Sequence, residues 1–120
     1  MPVKNIHGLK RLRNAVRYSW LGLKAAFANE PAFREEIVLA SLMIPVAFWL
    51  DVTQIERILL IGTVFLVLII ELVNSAIEAV VDRVSEEHHE LSGRAKDMGS
   101  AAVMMSMIVT GYTWFEIIIL

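Results

Sequence analysis

The sequence predicts an all-α integral membrane protein, in which an N-terminal amphipathic surface helix precedes three transmembrane helices. The 120 residues have a mean hydropathy of +0.61 and are 57% hydrophobic, which is too apolar for an ordinary soluble domain. Residues 98–115 form a stretch of eighteen without a charged side chain, which is long enough to cross a bilayer. Six of the 11 basic residues precede residue 30. We therefore predict a single membrane domain over residues 1–120.

The surface helix is predicted over about residues 5–28. Apolar side chains recur there at steps of three and four residues, which aligns them on one helix face: Leu9, Leu12, Val16, Trp20, Leu23 and Phe27. Basic side chains flank this stripe: Lys10, Arg13, Arg17 and Lys24. Such a helix is typical of one that lies in the membrane interface and is attracted to anionic lipid. A second interpretation, in which the basic residues act only as a topology signal, stays open.

The three transmembrane helices are predicted over residues 31–50, 54–82 and 93–119. Pro31 stands at a first helical turn, and the negative charges of Glu35 and Glu36 behind it suit the positive end of a helix dipole. Pro45 is expected to kink this first span.

Local signals set the starts of the other two spans. Thr53 and Glu56 have the spacing of a capping box, which predicts a helix start beside them. Ser92 and Gly93 are expected to separate a charged loop from the third span.

The distribution of basic residues also predicts the orientation. Beyond the N-terminal cluster, the first loop carries only Arg57, the second loop carries Arg83, Arg94 and Lys96, and no basic residue follows. Cytoplasmic loops are enriched in Lys and Arg. The N-terminus and the second loop should therefore face the cytoplasm, and the C-terminus the periplasm.

Composition excludes several classes of site. The absence of cysteine rules out a disulfide framework, a thiolate nucleophile and any cysteine-ligated metal. Neither a Walker-type phosphate loop nor a G-x-G-x-x-G motif is present. The net charge of -2 argues against a nucleic-acid-binding protein.

A stripe of polar side chains interrupts the apolar second span at steps of three, four and four residues: Glu71, Asn74, Glu78 and Asp82. Ionisable groups at membrane depth usually mark a functional site. Paired acids such as Glu30 and Glu78, both near the cytoplasmic level, can hold the Mg²⁺ that accompanies a phosphate substrate. A deeper acid such as Glu71 can accept a proton from a hydroxyl. The alternative is a polar contact between helices, and for Asp82 simple emergence into water.

Two motifs, ELVNSAIEAVVDR at residues 71–83 and ELSGRAKDMGSAAV at residues 90–103, closely resemble the signature of bacterial diacylglycerol kinase, a small integral membrane lipid kinase. The resemblance extends through YSWLGLKAA at residues 18–26, through Asn29-Glu30 and Ala32-Phe33-Arg34, and through Trp49-Leu50-Asp51. It implies a homotrimer of three-span protomers that uses ATP to convert diacylglycerol to phosphatidic acid at the cytoplasmic face of a bacterial inner membrane.

The resemblance also implies roles for individual residues. Glu71 resembles the general base, supported by Asn74, and Glu30 and Glu78 resemble the Mg²⁺ ligands. ATP binding is expected at Arg11, Tyr18, Glu30, Glu78, Glu87, His88, His89, Lys96 and Asp97. Contacts with the lipid are expected at Arg11, Ser19, Trp20, Arg34, Trp49, Glu71 and Ser100.

Three other interpretations remain. The same superfamily includes undecaprenol kinases, which would keep the chemistry and change the lipid. A small proton-coupled transporter could use Glu71 as its only essential acid, although the acids and Lys96 at one membrane level argue against it. An assembly subunit would use the polar stripe for structural contacts alone.

Overall fold

The computed structural model describes residues 7–84 and 89–120, and all regular secondary structure in these ranges is helical. The helices are α1 (Leu9–Asn29), α2 (Pro31–Trp49), α3 (Gln54–Val84) and α4 (Glu90–Ile118). The all-α expectation is therefore confirmed. Helix α2 continues through Pro45.

Helix α1 begins at Leu9, directly after Gly8. Gly8 has φ +55°, a left-handed conformation that favours glycine. Residues 5 and 6 of the predicted surface helix lie outside the described ranges, and residues 7 and 8 are not helical. Only Ala26 of α1 is buried, whereas Trp20 is 62% exposed. The apolar stripe of α1 is thus mostly open to the surroundings.

The corner between α1 and α2 is held by Arg34. Pro31 has no backbone N–H, so the carbonyl of Phe27 lacks its usual helical donor four residues later. The Arg34 Nη1 group donates to the carbonyl oxygens of Phe27, at 2.8 Å, and Ala28, at 3.2 Å. The first turn of α2 therefore caps the last turn of α1.

The predicted capping box at the start of α3 is confirmed. The Thr53 backbone N–H donates to Glu56 Oε1 at 2.9 Å, and the Glu56 N–H donates to Thr53 Oγ1 at 3.2 Å. One turn further, the Arg57 guanidinium donates to the carbonyl oxygens of Ala47 at 3.1 Å and Leu50 at 2.9 Å. These carbonyls lie at the end of α2, so Arg57 fixes the turn that reverses the chain.

Helices α2 and α3 pack through a narrow apolar seam. On α2 the buried residues recur every seven positions: Phe33, Ala40 and Ala47. Phe33 and Ala40 pack with Val64 and Leu68 of α3 in one core cluster. Because two of the three α2 residues are alanines, the helix backbones approach each other closely.

Helix α4 runs antiparallel to α3. Gly99 of α4 lies beside Asn74, and eleven residues later the Thr110 hydroxyl donates to the carbonyl oxygen of Thr63 at 3.1 Å. The indole Nε1–H of Trp114 then donates to the carbonyl oxygen of Leu60 at 3.1 Å. These contacts set the register of the two longest helices over about four turns.

Helix α4 starts earlier than the sequence predicted. His89 is its N-cap, and the imidazole Nδ1 accepts a hydrogen bond from the Leu91 backbone N–H at 3.0 Å. Ser92 and Gly93 therefore lie inside the first turn, and the prediction that they separate a loop from the helix was wrong. The sequence pattern failed here because the cap is a histidine, which is outside the usual N-cap set.

Two helices of the described chain, α3 with 31 residues and α4 with 29, are long and apolar enough to cross a membrane. Helix α2 has 19 residues and carries three charged residues near its start, Arg34, Glu35 and Glu36. Its composition alone therefore does not identify it as a membrane-spanning helix. Large apolar side chains are exposed on α2, α3 and α4, including Phe48, Phe65, Met105 and Phe115. Faces of this kind suit contact with lipid or with other copies of the chain.

We predict that Arg57→Met destabilises the turn between α2 and α3. The substitution keeps much of the side-chain length and removes two charge-assisted hydrogen bonds, so we expect a loss of about 2 kcal/mol in the free energy of unfolding. Thermal unfolding in detergent measures the loss as a lower midpoint. Arg83→Met, at an exposed position, is the matched control. Equal midpoints for the two variants would contradict this role of Arg57.

Candidate active site

The polar stripe of α3 runs from the protein interior to its surface. Glu71 and Asn74 are only 6% and 8% exposed, Glu78 is half-buried, and Asp82 is exposed. A buried carboxylate is costly unless polar groups compensate for the loss of water. The two inner residues of the stripe are therefore the ones whose neighbours matter most.

Asn74 links the two glutamates of the stripe. Its Nδ2 group lies 3.4 Å from Glu71 Oε2 and 3.5 Å from Glu78 Oε1, and it donates toward both. A side-chain amide has two N–H donors, which is the number needed for two carboxylates. Asn74 thus fixes the relative positions of an inner acid and an outer acid, one turn of helix to either side.

Glu36 of α2 is an acid at this site that the sequence interpretation missed. Both of its carboxylate oxygens are shielded from solvent and have no hydrogen-bond partner among the described residues. The carboxylate of Glu71 lies close enough to interact electrostatically with the carboxylate of Glu36. The sequence predicts for Glu36 only an interaction with the helix dipole. Its spacing contains the missing signal, because Glu36 follows buried Phe33 by three positions and precedes buried Ala40 by four.

Asp82 and Lys96 join α3 to α4 beyond the buried part of the stripe. Lys96 Nζ lies 2.6 Å from Asp82 Oδ1, and both side chains are substantially exposed. Lys96, one of the expected ATP contacts, thus forms an ion pair with Asp82. His89 caps α4, and Asp97 is exposed. Two further expected ATP contacts, Glu87 and His88, lie outside the described residues.

Glu30 stands between α1 and α2 and lines a cavity of about 660 Å³ between α1 and α3. Ser19, expected to contact the lipid, lines the same cavity, as do Leu72 and Ser75 of α3. Glu78 is not among the lining residues. Within residues 7–84 and 89–120, no three acidic or histidine side chains converge as a ready-made metal site.

The other residues expected at the lipid are spread over the molecule. Trp20 lines an apolar cleft of about 420 Å³ between α1 and α2, together with Phe27 and Phe33. Arg34 is engaged by carbonyls of α1, and Ser100 is exposed beside Gly99. Trp49 is 87% exposed at the far end of α2 from Glu36, about 20 Å along the helix.

The two residues expected near ATP on α1 lie on its exposed surface. Arg11 is in the first turns of the helix, and Tyr18 follows two turns later. The guanidinium of Arg17 lies 5.6 Å from the centre of the Tyr18 ring, within the range of a cation–π contact. Neither Arg11 nor Tyr18 lines the cavity that Glu30 and Ser19 share.

Comparison with known proteins identifies the family. The family model "Prokaryotic diacylglycerol kinase" matches residues 17–118. A diacylglycerol kinase of Escherichia coli is 58% identical over 110 residues, covering 92% of this chain and 90% of the relative. One from Pseudomonas aeruginosa is 53% identical over 118 residues, covering 98% and 96%, and one from Haemophilus influenzae is 54% identical over 107 residues, covering 89% and 91%. The chain therefore belongs to the prokaryotic diacylglycerol kinase family, and it is an enzyme of that class.

Proposed function

We propose that the chain transfers the γ-phosphoryl group of ATP to the primary hydroxyl of diacylglycerol and so forms phosphatidic acid. The observation that carries this proposal is the buried Glu71, joined through Asn74 to the half-buried Glu78, in a chain whose relatives are named diacylglycerol kinases. One acid is withdrawn from solvent and the other faces it. This division suits a reaction between a membrane lipid and a water-soluble nucleotide.

Glu71 is the proposed general base. The lipid hydroxyl gives its proton to a carboxylate oxygen of Glu71, and the hydroxyl oxygen attacks the γ-phosphorus of ATP. A new O–P bond forms, the bond to the β-phosphate oxygen breaks, and ADP leaves with the electron pair. Asn74 holds the carboxylate in place through its hydrogen bond to Glu71 Oε2.

Glu30 and Glu78 are the proposed holders of Mg²⁺. The donor chemistry fits, because Mg²⁺ accepts one or two protein carboxylates and completes its octahedron with phosphate oxygens and water. A converging set of three protein ligands is therefore not required. When bound, the ion neutralises charge that develops on the phosphates.

The nucleotide contacts remain proposals at Arg11, Tyr18, Glu87, His88, His89, Lys96 and Asp97. The exposure of the Lys96–Asp82 ion pair supports a role for Lys96, since a surface ion pair of this kind is weak and easily exchanged. A triphosphate carries more negative charge than Asp82 and competes for the ammonium group. Lipid contacts are likewise proposed for Arg11, Ser19, Trp20, Arg34, Trp49 and Ser100.

The proposed setting is the inner membrane of a bacterium, with the N-terminus and the loop between α3 and α4 in the cytoplasm and the C-terminus in the periplasm. Helix α2 is proposed as the third span, with Arg34 and Glu35 at its cytoplasmic edge. We propose a homotrimer as the functional state. The exposed apolar faces of α2, α3 and α4 are compatible with both lipid contact and self-association.

Phosphate transfer from labelled ATP, catalysed by the purified protein in mixed micelles, tests the function. Diacylglycerol and undecaprenol are offered side by side, with and without Mg²⁺. We expect Mg²⁺-dependent phosphatidic acid and little undecaprenyl phosphate. Undecaprenyl phosphate as the main product would change the lipid and keep the mechanism. No product from either lipid would overturn the proposal and direct attention to proton-coupled transport through Glu71.

Glu71→Gln and Glu78→Gln should separate the two acids by their kinetics. Loss of a general base lowers turnover by about 10²–10⁴-fold, and we expect Glu71→Gln to retain binding of Mg-ATP. Glu78→Gln should weaken binding of the metal and nucleotide and raise the Mg²⁺ concentration needed for half-maximal rate. Steady-state kinetics over a Mg²⁺ series, combined with nucleotide binding, measures both effects. Full activity of either variant would contradict its assigned role.

Glu36→Gln is predicted to stabilise the fold. The shielded carboxylate of Glu36 has no hydrogen-bond partner among the described residues and lies near a second acid, Glu71. At a pH at which both acids are ionised, the substitution replaces their repulsion by an amide that can donate to the Glu71 carboxylate, so we expect a gain of about 1 kcal/mol and a higher midpoint of thermal unfolding. Glu35→Gln, at the exposed neighbouring position, is the matched control and should leave the midpoint unchanged. A lower midpoint for Glu36→Gln would refute the prediction.

A further inference from the structure

Gly99 of helix α4 lies against Asn74, in the buried part of the polar stripe of α3. Gly99 is buried, and a Cβ atom added to it would overlap Asn74 Oδ1 and lie 3.1 Å from Asn74 Cγ. The glycines at positions 22, 62 and 111 have open space where a Cβ would stand. The space beside Gly99, where other residues have a side chain, is therefore occupied by the amide of Asn74.

The orientation of that amide follows from the carboxylates. Asn74 Nδ2 points to Glu71 and Glu78, so Oδ1 points to α4, where it is buried and has no hydrogen-bond partner among the described residues. Within residues 7–84 and 89–120, no hydrogen-bond donor holds the oxygen in this position. It occupies the space at Gly99 because the nitrogen end of the same amide faces the two acids.

Neither helix can easily move to make room for a larger residue at position 99. The hydrogen bonds from Thr110 and Trp114 to backbone carbonyls of α3 fix the same helix pair further along. The flexible partner in the contact is the Asn74 side chain. Its two hydrogen bonds, at 3.4 Å and 3.5 Å, already lie near the limit for such bonds, so a small displacement breaks at least one of them.

We propose that Gly99 is a positioning residue of the active site: the space left by its missing side chain holds the Asn74 carbonyl oxygen, which keeps the amide turned toward both Glu71 and Glu78. The inference rests on the proposed function, in which Glu71 takes the proton and Glu78 serves the nucleotide. It assigns to α4 a part in catalysis through Asn74, without contact with either substrate.

The test compares the parent protein with Gly99→Ala, Asn74→Ala and the double variant. For Gly99→Ala we expect a fall in kcat of about 10²-fold, the size of effect seen when catalytic groups shift by about an ångström. We also expect a higher KM for Mg-ATP, because Asn74 contacts Glu78 as well as Glu71. A merely structural defect would reduce the active fraction and leave this KM unchanged.

The double variant tests whether Gly99→Ala lowers activity through the side chain of Asn74. With Asn74 shortened to alanine, only its Cβ remains near position 99, at 3.8 Å from the added Cβ, which is an ordinary contact. Gly99→Ala should therefore lower kcat and the thermal midpoint in the parent and change neither in the Asn74→Ala background. Should Gly99→Ala fail to fold, the double variant is expected to regain the midpoint of Asn74→Ala.

Gly111→Ala is the matched control, since it makes the same change in the same helix at a position with open space. We expect it to keep parental kcat and KM. An inactive parent would overturn the proposed function. An active parent with a fully active Gly99→Ala variant, or an equal loss from Gly99→Ala in both backgrounds, would overturn this inference and leave the proposed function intact.

Discussion

Glu71 is a carboxylate on the buried face of a predominantly apolar helix. Because a buried carboxylate is costly without polar partners, its burial limits which side chains can pack beside it. An amide from its own helix, Asn74, donates to it and to Glu78, and a second acid, Glu36, approaches from α2. Buried polar groups are costly when they are only partly satisfied. Among the described residues the site is therefore polar and incompletely paired, which is compatible with the proposed reception of a substrate hydroxyl and its proton.

The helices around this site are joined by polar side chains that donate to backbone carbonyls of their neighbours. Arg34 closes the corner between α1 and α2, Arg57 closes the turn between α2 and α3, and Trp114 joins α4 to α3. Such bonds are directional, so each of them holds one side chain at one backbone carbonyl of the neighbouring helix. They fix the register that brings Glu36 to Glu71 and Gly99 to Asn74.

Where the sequence interpretation succeeded, the responsible interactions are local. The capping box of Thr53 and Glu56 joins residues three apart, and the shared face of Glu71 and Asn74 follows from helix geometry. It failed at the start of α4, where an unusual cap, His89, extends the helix through Gly93. It also misassigned Glu36, because an acid in the first turns of a helix has a plausible local role that hides a contact with another helix.

The sequence by itself determined the all-helical fold class, the polar stripe and the family, since each follows from periodicity or from motifs within a short segment. Only the tertiary structure decided which end of the Asn74 amide faces the acids, that Lys96 pairs with Asp82, and that Gly99 receives the Asn74 oxygen. These features depend on the angle and register between helices. Side chains far apart in the chain set both, so no local pattern encodes them.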